Sequence, residues 1–397
     1  MLLALANRMM REAHPRLLWK FAYNFAFKGV QASRLFRRRL AAGDYYPAFL
    51  FLSVTSRCNL RCQGCWVSTN AARADLDAET LDRIIRESKR RGNYFYGILG
   101  GEPLLCPALW DVLGRHGDCY FQVFTNGTLL GDETARTMRR LGNVSPLVSI
   151  EGTEAVSDER RGGRQVYRRT LEGLRHCRRH RLLTGVATSL CRSNIEDLVS
   201  ERFLWELVSR GVVYLWYYIY RPVGPDPRPD LALGREDIRR VRRFIVEARR
   251  RVPLVIVDAY WDERGRALCP AATGVSCHIN PWSDIEPCPP IQFAVESVHQ
   301  NGDLYHTICD SAFLRAFRRF ASETTRGCVL LERPDLLRRF LSEQGARDTT
   351  GRRTGLAELA AMDARPSHHV PGEEVPETHW FYRFAKKHWY FGFGAYA

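Results

Sequence analysis

The 397-residue sequence predicts an α/β fold, in which a parallel sheet with helical crossovers is open or closed as a partial barrel. Two observations carry this prediction. Apolar strand patterns alternate with amphipathic helix patterns from residue 49 onwards, and 45% of the chain is hydrophobic, enough for a large core. Right-handed crossovers bring the carboxyl ends of parallel strands to one side, so ligand-binding residues are expected directly after the strands.

Residues 1–46 are predicted to form a helical extension that is basic and aromatic. Residues 1–50 contain nine basic and two acidic residues, and Pro15 and Gly29 are expected to divide the segment into short amphipathic helices. Charges interrupt every apolar run before the ~18 residues that a membrane span needs, and no secretory signal is recognised. We therefore expect a reducing, cytoplasmic location, with a peripheral membrane contact as an open alternative.

Residues 47–230 are predicted to form the barrel. Its first strand is the apolar run Phe49–Thr55, and the helix that follows is capped by Asp77 and ends before Gly92. The remaining predicted elements are strands at Tyr94–Leu99, Cys119–Thr125, Leu147–Ile150, Leu183–Leu190 and Val212–Tyr220, and helices near residues 107–116, 131–141, 166–180, 195–210 and 235–250.

Prolines are dense in residues 221–229, which marks a boundary. Beyond it the pattern is irregular, with Cys, Pro and His clustered between residues 269 and 309. The sequence therefore predicts a second, irregular α+β lobe over residues 231–345, followed by a tail over residues 346–397.

Three cysteines, Cys58, Cys62 and Cys65, stand within eight residues directly after the first strand. Three thiolates in a Cys-x3-Cys-x2-Cys spacing suit three irons of a [4Fe-4S] cubane and leave the fourth iron open to another ligand. A zinc site completed by Cys106, or cysteines packed in the core, are the alternatives. The spacing favours the iron–sulfur cluster.

Three further motifs end the next three strands: Gly100-Gly101-Glu102-Pro103, Thr125-Asn126-Gly127 and Ser149-Ile150-Glu151-Gly152. Together with the cysteines, in this order, they resemble the radical S-adenosylmethionine (radical SAM) enzymes, whose core is a partial (β/α)6 barrel similar to a TIM barrel. The resemblance covers about residues 47–225. It implies reductive cleavage of S-adenosylmethionine at the cluster to a 5′-deoxyadenosyl radical, which takes hydrogen from a substrate.

The resemblance also implies a set of cofactor-binding residues. Glu102 and the glycine backbone before it are expected at the amino group of the methionine moiety, and polar side chains after the third and fourth strands at the ribose. Arg161 is the expected partner of the carboxylate, with Arg160 and Arg164 as alternatives. The full set is Gly100, Gly101, Glu102, Asn126, Ser149, Glu151, Arg161 and Ser189, with Thr188 beside the last of these.

One position departs from the family pattern. Gly64 stands where the family has an aromatic residue or histidine beside the adenine, and Trp66 follows the third cysteine instead. Trp66 is expected either as a wall of the substrate site or as a core residue.

The irregular lobe resembles the auxiliary-cluster domains called SPASM and Twitch. Cys269, Ser283 and Cys288 follow the spacing that opens such a domain, with serine in place of glycine. The resemblance implies a Twitch-like domain with one auxiliary iron–sulfur cluster, and buried cysteines without a cluster are the other interpretation. The implied ligands are Cys269, Cys277, Cys288 and Cys328, with Cys309 as the alternative to Cys328.

The leading functional interpretation is a radical SAM oxidoreductase or carbon-bond-forming enzyme with an external electron donor similar to flavodoxin or ferredoxin. The basic aromatic N-terminus and the similar segment Trp380–Phe391 suggest a lipid-like or hydrophobic substrate, although they also suit packing within the protein. Relatives with auxiliary clusters commonly modify peptides, so a peptide or protein maturase is the alternative. A metal-stabilised nucleic-acid-binding protein, suggested by the net charge of +15, is not expected.

Overall fold

The computed structural model describes residues 2–67, 73–258, 260–300 and 302–389. Its strands are β1 Phe49–Ser53, β2 Phe95–Leu99, β3 Tyr120–Thr125, β4 Val144–Ser149, β5 Thr184–Leu190, β6 Val212–Ile219, β7 Val255–Asp258, β8 Ser276–Ile279, β9 Ile285–Glu286, β10 Phe293–Ala294 and β11 Arg347–Asp348. The first nine form one sheet in the order β7-β6-β5-β4-β3-β2-β1-β8-β9, and β10 pairs with β11.

The helices alternate with the barrel strands and continue beyond them. They are α1 Leu2–Glu12, α2 Pro15–Lys20, α3 Lys28–Ala41, α4 Ala78–Arg90, α5 Leu109–Arg115, α6 Asp132–Leu141, α7 Glu154–Arg160, α8 Val166–Arg179, α9 Ile195–Leu198, α10 Glu201–Ser209, α11 Arg235–Arg251, α12 Pro270–Thr273, α13 Leu304–Cys309, α14 Ala312–Thr324, α15 Val329–Glu332, α16 Pro334–Glu343, α17 Gly355–Ala360 and α18 Trp380–His388. A π-helical segment, Phe21–Phe27, joins α2 to α3.

The large sheet is parallel from β7 through to β8, and β9 pairs antiparallel with β8. The ring of Phe124 on β3 contacts both Phe51 on β1 and Trp216 on β6, with centroid separations of 6.1 and 6.3 Å. Four strands lie between β1 and β6, so these contacts require the sheet to curl. The predicted α/β class with a partial parallel barrel is confirmed.

Two short strands that the sequence pattern did not reveal extend this sheet. β7 pairs with β6, and β8 pairs with β1, both in parallel. The sheet therefore continues past residue 230, and the predicted boundary between barrel and second lobe falls inside it.

The N-terminal extension is helical, but it is not divided at Gly29 as the sequence suggested. Helical backbone runs without interruption from Pro15 to Ala41, and Gly29 is buried in the first turn of α3. One glycine costs a helix only about 1 kcal/mol. The packing of Phe25 and Phe36 into the core outweighs that cost.

This extension seals the amino ends of the barrel strands. The ring of Phe25 packs 4.9 Å from Phe95 and 5.5 Å from Tyr120, which are the first residues of β2 and β3. Asn24 Nδ2 donates to Cys119 O at 3.2 Å, and Arg8 Nη2 donates to the β6 backbone at Val212 O, 2.7 Å away. Buried rings and satisfied carbonyl groups thus close this end.

Helices α11 and α18 cover the open edge of the sheet at β7. The Tyr382 hydroxyl accepts a hydrogen bond from Ile256 N at 3.0 Å, and Arg249 Nη2 donates to Ile256 O at 2.8 Å. The buried carboxylate of Asp258 forms salt bridges of 2.8 Å with Arg249 and 2.6 Å with Lys386. These groups satisfy an edge whose backbone would otherwise be unpaired.

The region after β8 is irregular, as predicted, and consists of short helices and the small sheet of β10 and β11. Its core is aromatic, with the rings of Phe320 and Phe340 stacked 4.5 Å apart. Residues 390–397, which belong to the predicted tail and to the basic aromatic C-terminus, lie outside the described residues. Across the described chain, every helix is too short or too polar to span a bilayer.

Candidate active site

A cavity of about 500 Å³ lies at the carboxyl ends of the barrel strands. Cys58, Cys62 and Cys65 line it from the loop that follows β1. Strand-end residues Leu99, Thr125 and others complete the wall, because parallel strands deliver their carboxyl ends to one side. The site therefore forms where the strand order of the sequence predicts it.

The three cysteines are free thiols on a partly exposed loop. Burial raises the pKa of Cys58 to about 11, with the Leu60 backbone lowering it and Cys62 raising it less strongly. Burial likewise raises the pKa of Cys65 to about 12, and the neighbouring Cys62 adds to the rise. Iron must therefore displace protons to bind these sulfurs.

The alternative of a zinc site with Cys106 finds no support in the geometry. Cys106 is packed in the hydrophobic core and does not line the cavity. Among the described residues, no three His, Cys, Asp or Glu side chains converge around a single ion position. A cubane cluster, by contrast, takes each thiolate on a separate iron.

Gly100 and Gly101 bring the backbone after β2 against the cysteine loop. A Cβ at Gly100 would lie 2.7 Å from Thr55 O, and a Cβ at Gly101 would overlap Arg57 O. Gly101 N donates to Thr55 O at 2.7 Å. Side chains are excluded at both positions, so this part of the cavity wall is bare backbone.

Glu102 is fully buried behind that wall and does not line the cavity. Its carboxylate accepts hydrogen bonds from Thr125 Oγ1 at 2.7 Å, Asn126 N at 2.8 Å and Leu104 N at 3.2 Å. Burial raises the pKa of Glu102 to about 7, although these donors act in the opposite direction. In this structure Glu102 ties the end of β2 to the end of β3.

Asn126 and Ser149 line the cavity, as the sequence places them. The Asn126 side chain is already engaged, since its Nδ2 donates to Asn59 Oδ1 at 2.8 Å and its Oδ1 accepts from Thr128 N at 2.9 Å. The turn after β3 is thus rigid, and Ser149 offers its hydroxyl from the end of β4.

Glu151 and Arg161 form a buried ion pair in the same wall. Arg161 Nη2 donates to Glu151 Oε1 at 2.6 Å, and Arg161 Nη1 lies 3.7 Å from Cys62 Sγ. Ser189 N donates to Glu151 Oε2 at 3.3 Å, and Arg160 Nε is 3.4 Å from the same oxygen. The structure therefore brings together the predicted residues after β4 and β5 and places a cation beside the cysteines.

Several polar atoms at this cavity are buried without a hydrogen-bond partner in the described chain. They are Gln63 Oε1, Arg160 Nη1, Arg161 Nε, Thr188 Oγ1 and Trp216 Nε1, and each belongs to a lining residue. Buried polar groups are normally paired, and an unpaired one costs about 1–3 kcal/mol. Five such groups around one cavity fit a polar ligand, and the guanidinium donors suit a carboxylate such as that of S-adenosylmethionine.

The space beside Gly64 is filled from the end of β6. A Cβ at Gly64 would overlap the hydroxyl and ring of Tyr220, and Gly64 has a φ of +66°, which favours glycine. Tyr220 lines the cavity, donates to Pro227 O at 2.7 Å and lies under the Arg160 guanidinium at 4.8 Å. Trp66 also lines the cavity, which places it on the wall and not in the core.

A second group of cysteines lies near the same cavity. Cys288 lines it. Burial raises the pKa of Cys288, Arg221 lowers it, and the charges of Cys269 and Cys328 raise it further. Cys269, Cys288 and Cys328 are therefore close together. Arg221 Nε donates to Cys328 Sγ at 3.4 Å.

Cys277 and Cys309 lie elsewhere. Burial raises the pKa of Tyr46, and the charges of Cys277 and Cys309 raise it further, so both thiols are near this ring. Cys309 Sγ is 3.0 Å from Asp44 Oδ1. Of the predicted auxiliary set, the structure brings together Cys269, Cys288 and Cys328, and neither Cys277 nor Cys309 joins them.

Sequence reasoning missed Arg221, Tyr218 and Tyr260, which line the cavity around the second cysteine group. Arg221 follows the predicted end of the β6 strand, and the same strand-end rule would have selected it. Tyr260 had no such signal, because β7 was not recognised.

The family comparison matches residues 52–200 to the radical SAM superfamily. The chain therefore carries a radical SAM domain, and the resemblance carried by its motifs is confirmed. Enzymes with this domain use a [4Fe-4S] cluster together with S-adenosylmethionine, so the predicted cofactors are confirmed for the class.

Similar proteins extend the likeness beyond this domain. The PqqA peptide cyclase of Streptomyces rochei is 27% identical over 258 residues, 61% of this chain and 69% of that one. The AdoMet-dependent heme synthase of Methanosarcina barkeri is 28% identical over 190 residues, 46% of this chain and 54% of that one. The chain thus spans about half to two thirds of these relatives.

Among solved structures, SuiB of Streptococcus suis bound to precursor peptide SuiA has a similar fold. The TM-score is 0.61 at 16% identity, over 72% of this chain and 70% of that one. This similarity covers more of the chain than the family match does.

Proposed function

We propose that this radical SAM enzyme is a maturase that modifies a peptide or protein substrate. The observation that carries the proposal is the length of the site. The cavity of about 500 Å³ adjoins a second cavity of about 360 Å³, and the two share Val223, Pro225 and Pro290. A polymer segment would occupy both, whereas a small metabolite needs one.

The relatives support the same substrate class. One is named for a peptide that it cyclises, and the structural neighbour holds a precursor peptide. The heme synthase among the relatives acts on a different class, so the peptide assignment depends on the shape of the site as well.

The interpretation of a lipid-like substrate depended on the basic aromatic ends of the chain. The N-terminal end lies against the amino ends of the strands, through Phe25 and Asn24, while the cavity lies at the carboxyl ends. These aromatic side chains therefore do not line the substrate site. No observation at the cavity favours a nucleic acid.

Cys58, Cys62 and Cys65 would hold three irons of the cluster, and Arg161 would offset its negative charge beside Cys62. The bare backbone at Gly100 and Gly101 would let a ligand approach closely, with Glu102 holding that backbone in place. The cofactor supplies hydrogen-atom abstraction from carbon once an external donor similar to flavodoxin or ferredoxin has delivered an electron. The chain positions the substrate and excludes water.

Cys269, Cys288 and Cys328 would hold an auxiliary cluster beside the same cavity. The half-buried guanidinium of Arg221 lies beside Cys328, where it would offset the negative charge of the thiolates. Three protein ligands would leave one iron for a further ligand, which distinguishes this set from the four-cysteine set that the sequence implied.

The test uses as probes synthetic copies of any short peptides that reading frames next to the gene encode. Reconstituted enzyme, reductant and S-adenosylmethionine are incubated anaerobically with each synthetic peptide, and 5′-deoxyadenosine and peptide mass are measured. A peptide substrate should raise 5′-deoxyadenosine formation and change in mass. Stimulation by lipid extracts, with every peptide left unchanged, would contradict the proposal.

A further inference from the structure

The helical extension has an inner and an outer face of opposite character. Leu17, Phe25 and other residues of the inner face are buried. The outer face carries Trp19, Tyr23 and Phe27, which are 69%, 46% and 54% exposed. Their rings stand in a row, with centroids 6.1 and 5.7 Å apart and interplanar angles of 4° and 13°. Three large rings aligned in water mark a contact surface.

The neighbouring helix α18 presents a second pair of exposed rings. Trp380 and Phe384, one helical turn apart, are 66% and 48% exposed, while Tyr382 and Ala385 on the other face are buried. Trp389, directly after α18, packs its ring 5.3 Å from Phe25 and so holds this helix against the extension. Both chain ends therefore contribute exposed aromatics to adjoining helices.

The charge around these rings has one sign. Residues 15–41 contain seven basic residues and no acidic one, and residues 380–388 contain three basic residues and no acidic one. Arg34, Arg38 and Arg383 are exposed and form no salt bridge with any described residue. Cations left unpaired in water are available to an anionic partner.

We propose that this aromatic–basic face, formed by Trp19, Tyr23, Phe27, Trp380 and Phe384 with Arg34, Arg38 and Arg383, docks on the headgroup region of an anionic membrane. Aromatic rings beside arginine and lysine suit the boundary between headgroups and acyl chains, where a ring is half buried and a cation meets a phosphate. This inference stands apart from the proposed function, because neither the cavity nor its cysteines take part.

The placement fixes the orientation of the enzyme on such a surface. The extension seals the amino ends of the strands at Phe95 and Tyr120, and the cavity opens at the carboxyl ends. A bilayer at the aromatic–basic face would leave the cavity facing the aqueous side. Membrane binding and a water-borne substrate are therefore compatible.

Vesicle co-sedimentation of the full-length reconstituted protein tests the proposal. Vesicles contain phosphatidylcholine alone, or phosphatidylcholine with phosphatidylglycerol, at about 50 and about 500 mM salt. We expect binding to the anionic vesicles only, weakened by salt. Because each cation near such a surface is worth roughly fivefold in affinity, Arg34→Gln/Arg38→Gln should weaken binding about 25-fold. The triple variant Trp19→Ser/Tyr23→Ser/Phe27→Ser should abolish the vesicle binding that remains at high salt.

Matched controls alter exposed residues of the same types elsewhere. Trp205→Ser removes another exposed tryptophan, and Arg243→Gln/Arg250→Gln removes two exposed arginines of α11. These variants should bind like wild type, and thermal unfolding should show that every variant is folded.

Three outcomes would overturn the proposal. Wild-type protein that stays in the supernatant with anionic vesicles at low salt excludes the membrane. Equal losses in the control variants would show that binding is not local to this face. A dimer by light scattering that the triple aromatic variant makes monomeric, without vesicle binding, would assign the face to a second copy of the chain.

Discussion

The polar groups at the two ends of the barrel have different roles. At the amino end, Lys20 Nζ and Asn24 Nδ2 both donate to Gly117 O, at 2.6 and 3.2 Å. At the carboxyl end, Arg160 Nη1 and Thr188 Oγ1 are buried without a partner in the described chain. The contacts at the amino end hold the extension against the strands and contribute stability, although Asn93 Nδ2 and Asn143 Oδ1 there also lack a described partner. The unpartnered atoms at the carboxyl end differ because they line the cavity, where a ligand can reach them. Substitutions at the two ends should therefore affect different measurements.

The largest expected effect is at the carboxyl end. Replacing Cys58, Cys62 and Cys65 together with alanine should remove about four irons per chain and reduce 5′-deoxyadenosine formation to background, since these thiolates would hold the cluster. Iron analysis and product chromatography measure both quantities. Cys119→Ala and Cys177→Ala, which alter buried core cysteines, should keep the iron. Full activity in the triple variant would refute the assignment.

The next effect concerns the buried ion pair. Glu151→Gln should weaken S-adenosylmethionine binding by roughly 10- to 100-fold, because one buried charge-assisted contact is worth about 1.5–3 kcal/mol and Arg161 would lose its alignment. Equilibrium binding to anaerobic protein measures the change. Glu154→Gln, which alters a half-exposed carboxylate on α7 that pairs with Arg168, is the control. Unchanged affinity in Glu151→Gln would remove this pair from the site.

The contact between Gly64 and Tyr220 can be tested by substituting Gly64 alone and then both residues together. Gly64→Ala should lower cofactor affinity and stability, because the new Cβ overlaps Tyr220 and the backbone is in the left-handed region; such strain costs about 1–3 kcal/mol. Tyr220→Ala in the same chain should recover part of the loss. Binding titrations and thermal unfolding of both variants provide the comparison. Additive losses would show that the two residues do not share this space.

At the amino end the expected loss is in stability alone. Arg8→Ala removes charge-assisted hydrogen bonds to Val212 O and Pro253 O and should lower the free energy of unfolding by about 2 kcal/mol. Denaturant unfolding measures this change. Cofactor affinity should stay at the wild-type value. Arg16→Ala, at an exposed position of the extension, should change the stability by less than about 0.5 kcal/mol.

The last effect is a pH dependence at Lys386, which is confined to alkaline pH. Burial lowers the pKa of Lys386 to about 8, and Asp258 opposes this fall only in part. Between about pH 8 and pH 10 the unfolded chain binds more protons than the folded one, so this lysine makes stability rise with pH. Lys386→Met should lack that rise in its unfolding midpoint, whereas the exposed Lys387→Met should retain it. Parallel midpoints for Lys386→Met and wild type would contradict the expectation.

Sequence reasoning located the cavity because the ends of the strands can be recognised from local sequence. An apolar run followed directly by Cys58, Gly100 or Asn126 is a local signal, and parallel topology brings such residues together. The same logic did not reveal β7 and β8, which are four residues each and too short to show a pattern. Tyr260, which follows β7, was therefore missed.

Other features depend on contacts that spacing does not encode. Glu102 looked like a ligand contact, yet the fold directs its carboxylate to Thr125 and Asn126. Cys277 has suitable spacing from Cys288, but it lies near Tyr46 and is not grouped with Cys269, Cys288 and Cys328. Side chains alternate across a strand, so one position in β8 decides which face a thiol joins.

The cover over β7 has a consequence for synthesis and self-association. A free strand edge is a template for pairing with another chain. At this edge the Ile256 N–H donates to the Tyr382 hydroxyl and the Ile256 carbonyl accepts from Arg249, so neither group is available to another strand. Tyr382 lies more than a hundred residues after β7 in the sequence. A nascent chain can therefore form the barrel while the β7 edge is still exposed, because α18 has not yet been synthesised. Overexpression should then trap incomplete chains as aggregates that pair through the β7 edge. Helix α18 prevents this pairing and keeps the barrel monomeric.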